Sequence, residues 1–273
     1  MVYLVGTPIG NLGDISPRVA KTLASVDFIA AEDTRVSLKL LNHLNIRKPL
    51  IAYHDHNRHF QGAEIVRRLQ EGETAALITD AGLPGISDPG EDLVRLCIDS
   101  GVEIQAISGP SACLLALILS GLSTGRFCFE GFLSVGKRSR MAHLAECKTE
   151  TRTMIFYEAP HKLQKTLCDM FDVWGDRRIS ISRELTKKFE ETRRFMLSEA
   201  ITYYENPENK PRGEFVLVLE GAVPIQEVTL SMDEARERVE ALTVSGYSQK
   251  DAIRQTAEEL GIAKNALYRE MIQ

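Results

Sequence analysis

The sequence predicts an α/β fold in three parts: an N-terminal α/β domain over residues 1–122 with a parallel sheet, a second α/β domain over residues 123–225 with a mixed sheet, and a small helical tail over residues 226–273. Three observations carry this reading. Short apolar runs alternate with helix-like patterns through the first part, the texture of crossover units around a parallel sheet covered on both faces. After Leu122 a glycine-containing, basic stretch breaks that texture, and two strand-like runs then follow without a helix between them, which requires a mixed sheet. From Met232 onward the pattern is helical throughout.

In chain order, VYLV, DFIAA, LIAY, AALIT and VEIQAI read as the first five strands, with helices expected after Ser16-Pro17, from Val36, from Ala63 and from Gly90. Ser16 supplies a capping hydroxyl, and Pro17 occupies the first helical position, where a missing N–H costs nothing. Pro110-Ser111 is expected to open the apolar helix over residues 112–119 in the same way. That run falls well short of the roughly 20 apolar residues a membrane span needs, so a buried helix and no membrane partner are expected. Residues 131–138, GFLSVGKR, read as part of a basic inter-domain linker. Beyond it, TMIFYEA, RISISREL, TRRFML and EFVLVLEG read as strands, with helices from His161 and around residues 199–204. In the tail, Ser248 caps a second helix, Gly261 ends it, and KNALYREMI makes a third. Three short helices of this kind form either a helix-turn-helix-like unit or a helical cap.

Composition narrows the function classes. With 44% hydrophobic and 26% charged positions the chain buries one large core or two modest ones. A net charge of −5 disfavours indiscriminate binding to naked nucleic acid, while leaving room for a local basic face. The N-terminus has no basic head followed by an apolar stretch, so a cytoplasmic protein is expected. The five cysteines form no C-x-x-C pair, so neither a disulfide framework nor structural zinc is expected, and no metal ligand is assigned. Cys97 and Cys113 fall inside apolar helical patterns, where a thiol is a small core hydrophobe.

Four motifs could carry chemistry. GTPIGNLGD follows a strand and precedes a helix, but its glycines lack the G-x-G-x-x-G spacing and Pro8 removes a donor, so a dinucleotide loop is disfavoured. GFLSVGKR keeps the G-x-x-x-x-G-K spacing of a P-loop, yet Arg138 stands where a hydroxyl must hold magnesium. HDHNRH places His54, His56 and His59 together without carboxylates or thiols on a rigid face, so a solvated or substrate-facing loop is preferred over a metal site. TDAGLPGISDPG, residues 79–90, is the strongest signal. It is longer than ordinary strand-to-helix loops of about 2–6 residues, and it follows a buried strand at the sheet edge where open α/β sheets bind ligands. The turn SGPSA after the next strand lies beside it, so two loops share one crevice.

The ordered set GTPIGNLGDIS, AAEDTR, DAGLPGISDPG, GPSA, YEAPHK, RELTKKFEE and RGEFVLVLEG resembles the tetrapyrrole-methylase superfamily of S-adenosylmethionine enzymes, over about residues 1–222 and the helical tail. GTPIGN replaces the G-x-G-x-G-D of the tetrapyrrole-making relatives, which favours the RNA-methylating branch. The resemblance implies a donor folded into the cleft between the two α/β domains. It would be contacted by Pro8, Ala81, Gly82, Leu83, Ile86, Ser111 and Ala112 from the first domain, and by Glu158, Leu185, Gly213 and Glu214 from the second. It further implies 2'-O-methylation of a cytidine ribose of 16S ribosomal RNA in the small ribosomal subunit, and a homodimer.

A ribose hydroxyl is a poor nucleophile at neutral pH, so a nearby base helps. Asp33, His54, His56 and Glu184 are the candidates, with Lys187 orienting a phosphate or hydroxyl. Arg35, Lys137, Arg138, Arg140, Lys187, Lys188 and Arg212 are expected to form a basic rim. The negative total charge points to an assembled ribonucleoprotein as substrate, with the tail helping to dock. Three alternatives stay open at this point: methylation of a small tetrapyrrole precursor, a P-loop nucleotide-binding protein using residues 131–137, and a helix-turn-helix binding protein whose body senses a ligand.

Overall fold

A computed structural model describes residues 1–223, 232–260 and 264–272. The chain divides into two compact units, Met1–Ala222 and Val223–Gln273. The expected helix end at Gly261 and the expected junction at residues 225–226 lie outside the described residues.

The first sheet is built from β1 (Val2–Val5), β2 (Phe28–Ala31), β3 (Leu50–Ala52), β4 (Ala75–Ile78) and β5 (Ile104–Ile107), in the order β3-β2-β4-β1-β5 and parallel throughout. The helices between them are α1 (Pro17–Ser25), α2 (Thr34–His43), α3 (Arg58–Gln70) and α4 (Gly90–Asp99). Strand periodicity sends Phe28, Ala30, Ala75 and Leu77 to one face, against Ile65 and Leu93 of α3 and α4. Ile29, Ala31, Ala76 and Ile78 go to the other, against Val19, Leu23 and Leu41 of α1 and α2. Both faces are covered, as a parallel sheet requires. Ser16 caps α1 by accepting from the Val19 N–H at 3.2 Å.

Helix α5 (Ala112–Ser120) follows, and then the second sheet: β6 (Phe127–Phe132), β7 (Thr153–Glu158), β8 (Arg178–Arg183), β9 (Glu191–Met196) and β10 (Phe215–Leu219), in the order β6-β7-β10-β8-β9. β6 pairs parallel to β7 and the other pairs are antiparallel, so this sheet is mixed. Helices α6 (Lys137–Glu146), α7 (Leu163–Trp174) and α8 (Leu197–Glu205) cover one face, around Phe156, Met170, Trp174 and Leu217. The opposite face, with Ile155, Val216 and Val218, receives Cys113, Ala116 and Leu117 of α5 together with Ile9 and Leu185. Thus α5 leaves the first sheet but packs on the second.

The expected basic linker is corrected here. Gly131 and Phe132 end β6, Lys137 and Arg138 begin α6, and only residues 133–136 connect them. α6 was missed because its buried face is sparse: Leu144 and, unexpectedly, Arg140.

In the second unit, α9 (Met232–Val244), α10 (Gln249–Leu260) and α11 (Lys264–Ile272) bury Ala235, Val239, Ala252, Ile253, Ala257 and Leu267 against one another. Ser248 caps α10 through the Asp251 N–H at 3.2 Å, as its sequence predicts.

Candidate active site

Three loops at the carboxyl edge of the first sheet meet because glycines let their backbones touch. Gly6 after β1 and Gly109 after β5 lie so close that a Cβ on Gly6 would be 2.6 Å from Gly109 Cα. Thr7 and Gly82 form a two-way backbone bridge, 2.9 Å and 3.1 Å, and the Thr7 hydroxyl donates to the Thr79 carbonyl at 3.1 Å. Gly82 adopts φ +87°, a left-handed value that glycine tolerates without a Cβ penalty. Within the loop over residues 79–90, Asp88 accepts from the Gly85 N–H at 2.8 Å and the Gly90 N–H at 2.7 Å. Its carboxylate therefore organises the loop rather than reaching for a ligand. Ser111 occupies the N-cap position of α5 but makes no side-chain cap bond. The expected cap is thereby corrected, and the first α5 N–H groups lack that partner.

The second sheet supplies the opposing wall. Glu158, 2% exposed, accepts from the Ala159 N–H at 2.8 Å and the Thr166 hydroxyl at 2.5 Å, which fixes the turn after β7. Glu184 and Thr186 both have positive φ, +51° and +65°, strain of a kind that concentrates at functional sites. Lys187 Nζ contacts Glu184 Oε1 at 3.0 Å and Glu214 Oε2 at 3.8 Å. Gly213 is required beside them, since a Cβ there would fall 2.3 Å from Glu184 Oε1.

Between the walls lies a cavity of about 590 Å³, within the roughly 300–1,000 Å³ usual for small-molecule sites. Leu83, Ile86, Ala112, Tyr157, Leu185 and Val216 provide apolar lining, and Glu32, Asp80, Glu184 and Glu214 provide carboxylates. Burial, followed by the charge of Asp80, pushes the Glu32 carboxyl above its ordinary range. Asp80 is likewise raised, mainly by burial. Two carboxylates with raised pKa in one cleft make it the candidate site.

Most of the expected donor contacts converge on this cavity: Ala81, Gly82, Leu83, Ile86, Ser111, Ala112, Glu158, Leu185 and Glu214 all line it, as do Glu184 and Lys187. Pro8 lines a neighbouring cleft of about 220 Å³ with Thr7, Val36 and Asp80. Gly213 stands behind Glu184. Asp33, expected as a base, instead caps α2, accepting from the Arg35 N–H at 2.8 Å and pairing with the Arg35 guanidinium. Those bonds hold its carboxyl down at about 2, which makes it a weak proton acceptor. His54 and His56 stand edge to face at 5.9 Å, outside the cavity lining. Glu32, one residue from Asp33, is the group that faces the cavity. No alternation in the fully buried β2 marked it, although its place just after a central parallel strand did. His161 and Phe132 also line the cavity and were not singled out.

The expected basic rim is thinner than its residues imply. Arg140 is buried, pairs with Asp169 at 2.7 Å and donates to the Ser134 and Val135 carbonyls, while Arg35 is engaged by Asp33. Lys137, Arg138, Lys188 and Arg212 are exposed. Two carbonyls of the β6–α6 connection, those of Ser134 and Val135, turn toward Arg140.

The model of the tetrapyrrole (corrin/porphyrin) methylases matches residues 1–201. The chain is 48% identical over 269 residues to a ribosomal RNA small subunit methyltransferase I of Synechocystis sp., covering 98% of this chain and 96% of the relative. It is 43% identical to the protein of that name from Bacillus subtilis, over 98% and 92%. Among solved structures, the methyltransferase CobJ aligns over 81% of this chain and 94% of its own at TM-score 0.60 and 18% identity. Diphthine synthase aligns over 81% and 89% at TM-score 0.60 and 12% identity. At such identities the structural likeness speaks to the fold alone.

Proposed function

Because the chain belongs to the tetrapyrrole (corrin/porphyrin) methylase family, we propose that its cavity moves a methyl group from S-adenosylmethionine to a cytidine ribose 2'-hydroxyl of 16S ribosomal RNA. The carrying observation is that a near-full-length relationship to ribosomal RNA methyltransferases coincides with one cavity fed by both sheets.

The cavity residues fit the donor. The apolar wall of Leu83, Ala112, Leu185 and Val216 suits an adenosine, and the uncapped start of α5 offers N–H groups to its acceptors. The glycines of the 79–90 loop let backbone approach the methionine end, and the surrounding carboxylates favour a cationic centre. When bound, S-adenosylmethionine supplies a methyl group activated on a sulfonium. The chain's own work is alignment and proton removal: holding the acceptor in line supplies several kcal/mol, and a base adds to it. We assign the base role to Glu32, whose raised pKa strengthens it as an acceptor. Lys187, anchored by Glu184, orients the incoming backbone.

The finer substrate is the assembled small subunit, in the cytoplasm, with the enzyme as a homodimer and the exposed Lys137, Arg138, Lys188 and Arg212 as its basic contacts. Among the described residues no helix is long and apolar enough to cross a membrane. The test is incubation with methyl-labelled S-adenosylmethionine and either small subunits or free ribosomal RNA, followed by nucleoside analysis. Labelled 2'-O-methylcytidine, stronger from subunits, is expected; labelled RNA without ribose methylation overturns the reading.

A further inference from the structure

Away from the cavity, a carboxylate, an imidazole and a thiol gather where β6 meets the end of α6. The pairing of β6 with β7 slips between Phe129 and Gly131, leaving Glu130 as the extra residue of a bulge. Bulges re-aim side chains, and here the Glu130 carboxylate meets His143 Nε2 at 2.9 Å. His143 and Cys147 stand four residues apart at the end of α6, on one helical face. One ligand atom each of Glu130, His143 and Cys147 lies within 4.8 Å of the others. Cys147 is 7% exposed, and the other two are half-buried.

We propose that Glu130, His143 and Cys147 bind one divalent cation of the zinc class, tying the edge strand β6 to α6. One donor from a strand and two from a helix one turn apart fill three of four tetrahedral positions, and thiolate, imidazole and carboxylate are zinc's ligands. Zinc–ligand bonds of about 2.0–2.3 Å place tetrahedral ligand atoms roughly 3.3–3.8 Å apart. The ligand atoms of Glu130, His143 and Cys147, all within 4.8 Å of one another, need to draw together by about 1–1.5 Å at most to reach it. A search for paired C-x-x-C spacing misses this set, because it holds a single cysteine.

The experiment titrates tag-free, fully reduced protein with cobalt(II) and then zinc(II), following absorption and thermal unfolding. The expected result is one cobalt per chain with a thiolate-to-cobalt charge-transfer band, displaced by zinc, and a rise in Tm with zinc. His143→Ala and Cys147→Ser should each weaken binding by at least about tenfold, while the triple variant His54→Ala, His56→Ala, His59→Ala binds as the wild type does. Should Cys147→Ser fail to fold, the half-buried His143→Ala carries the test. No charge-transfer band with titrated free thiols overturns the proposal, as does binding that survives in His143→Ala and vanishes in the triple variant.

Discussion

Lys187 crosses the face of Gly10 so closely that a Cβ on Gly10 would lie 2.3 Å from Lys187 Cγ and 2.9 Å from its Cε. The first loop of the chain thereby sets the path of a side chain from the RELTKKFEE segment. It also delivers that ammonium to Glu184 on the cavity wall.

Gly10→Ala should therefore displace Lys187, whose Cγ lies too near the backbone to swing clear, and strain a backbone held at φ +157°. Some thermal stability should be lost as the ammonium leaves Glu184. Methylation should fall by about tenfold or more, corresponding to ~1.4 kcal/mol, and Lys187→Ala should reproduce most of that loss. A double variant whose defects add independently would show that the two residues act separately.

Gly82→Val should abolish donor binding with only modest loss of stability. Its neighbours, Ile9 Cγ2 and the Pro110 carbonyl, stand 3.5 Å from an added Cβ, so space is not limiting. The left-handed φ is, at roughly 1–2 kcal/mol for an ordinary residue, and relief of that strain would move the backbone that faces the cavity. Gly82→Ala should fall between the two. Calorimetry with S-adenosylmethionine decides it: unchanged affinity in the valine variant refutes the assignment of this loop.

Glu32 and Asp33 should separate cleanly in pH profiles. A base works deprotonated, so the raised Glu32 pKa places the acidic limb of kcat/KM above the ordinary carboxylate value, and Glu32→Gln should remove it with a loss of about 10²–10⁴ in rate. The stability sign is opposite. A carboxyl raised on folding contributes stability below its unfolded pKa that is lost as pH rises through the folded one, so Glu32→Gln should be neutral or stabilising at pH 7. Asp33, held at about 2, contributes stability present above its unfolded pKa and lost as pH falls toward 2. Asp33→Asn should keep the acidic limb.

Arg140 and Lys188 were expected on one basic rim, and they should behave as different kinds of residue. Arg140→Ala strands Asp169 in the interior and should cost about 3–5 kcal/mol in denaturant unfolding. Lys188→Ala, at an exposed position, should leave unfolding unchanged. If Lys188 touches a phosphate, the slope of log affinity for RNA against log salt falls by about 1.

The parallel sheet, the mixed sheet and the loops of the cleft were legible in the residues because their causes are local. Apolar runs of strand length, Ser16-Pro17 at a helix start, and the glycines and prolines of residues 79–90 each restrict a few neighbouring dihedrals. α6 was not legible, because its buried anchor is an arginine whose partner, Asp169, lies 29 residues further on.

The same limit governs the site. The glycine loops announce where a ligand sits, yet Glu32 and Asp33 are equivalent in sequence. Their roles divide only when Arg35 claims one at the start of α2 and Asp80, 48 residues after Glu32, crowds the other. Turn chemistry is a property of adjacent residues, and so is readable along the chain. Which carboxylate is shifted up and which down depends on burial and on charges brought close by packing, and those exist only in the folded molecule.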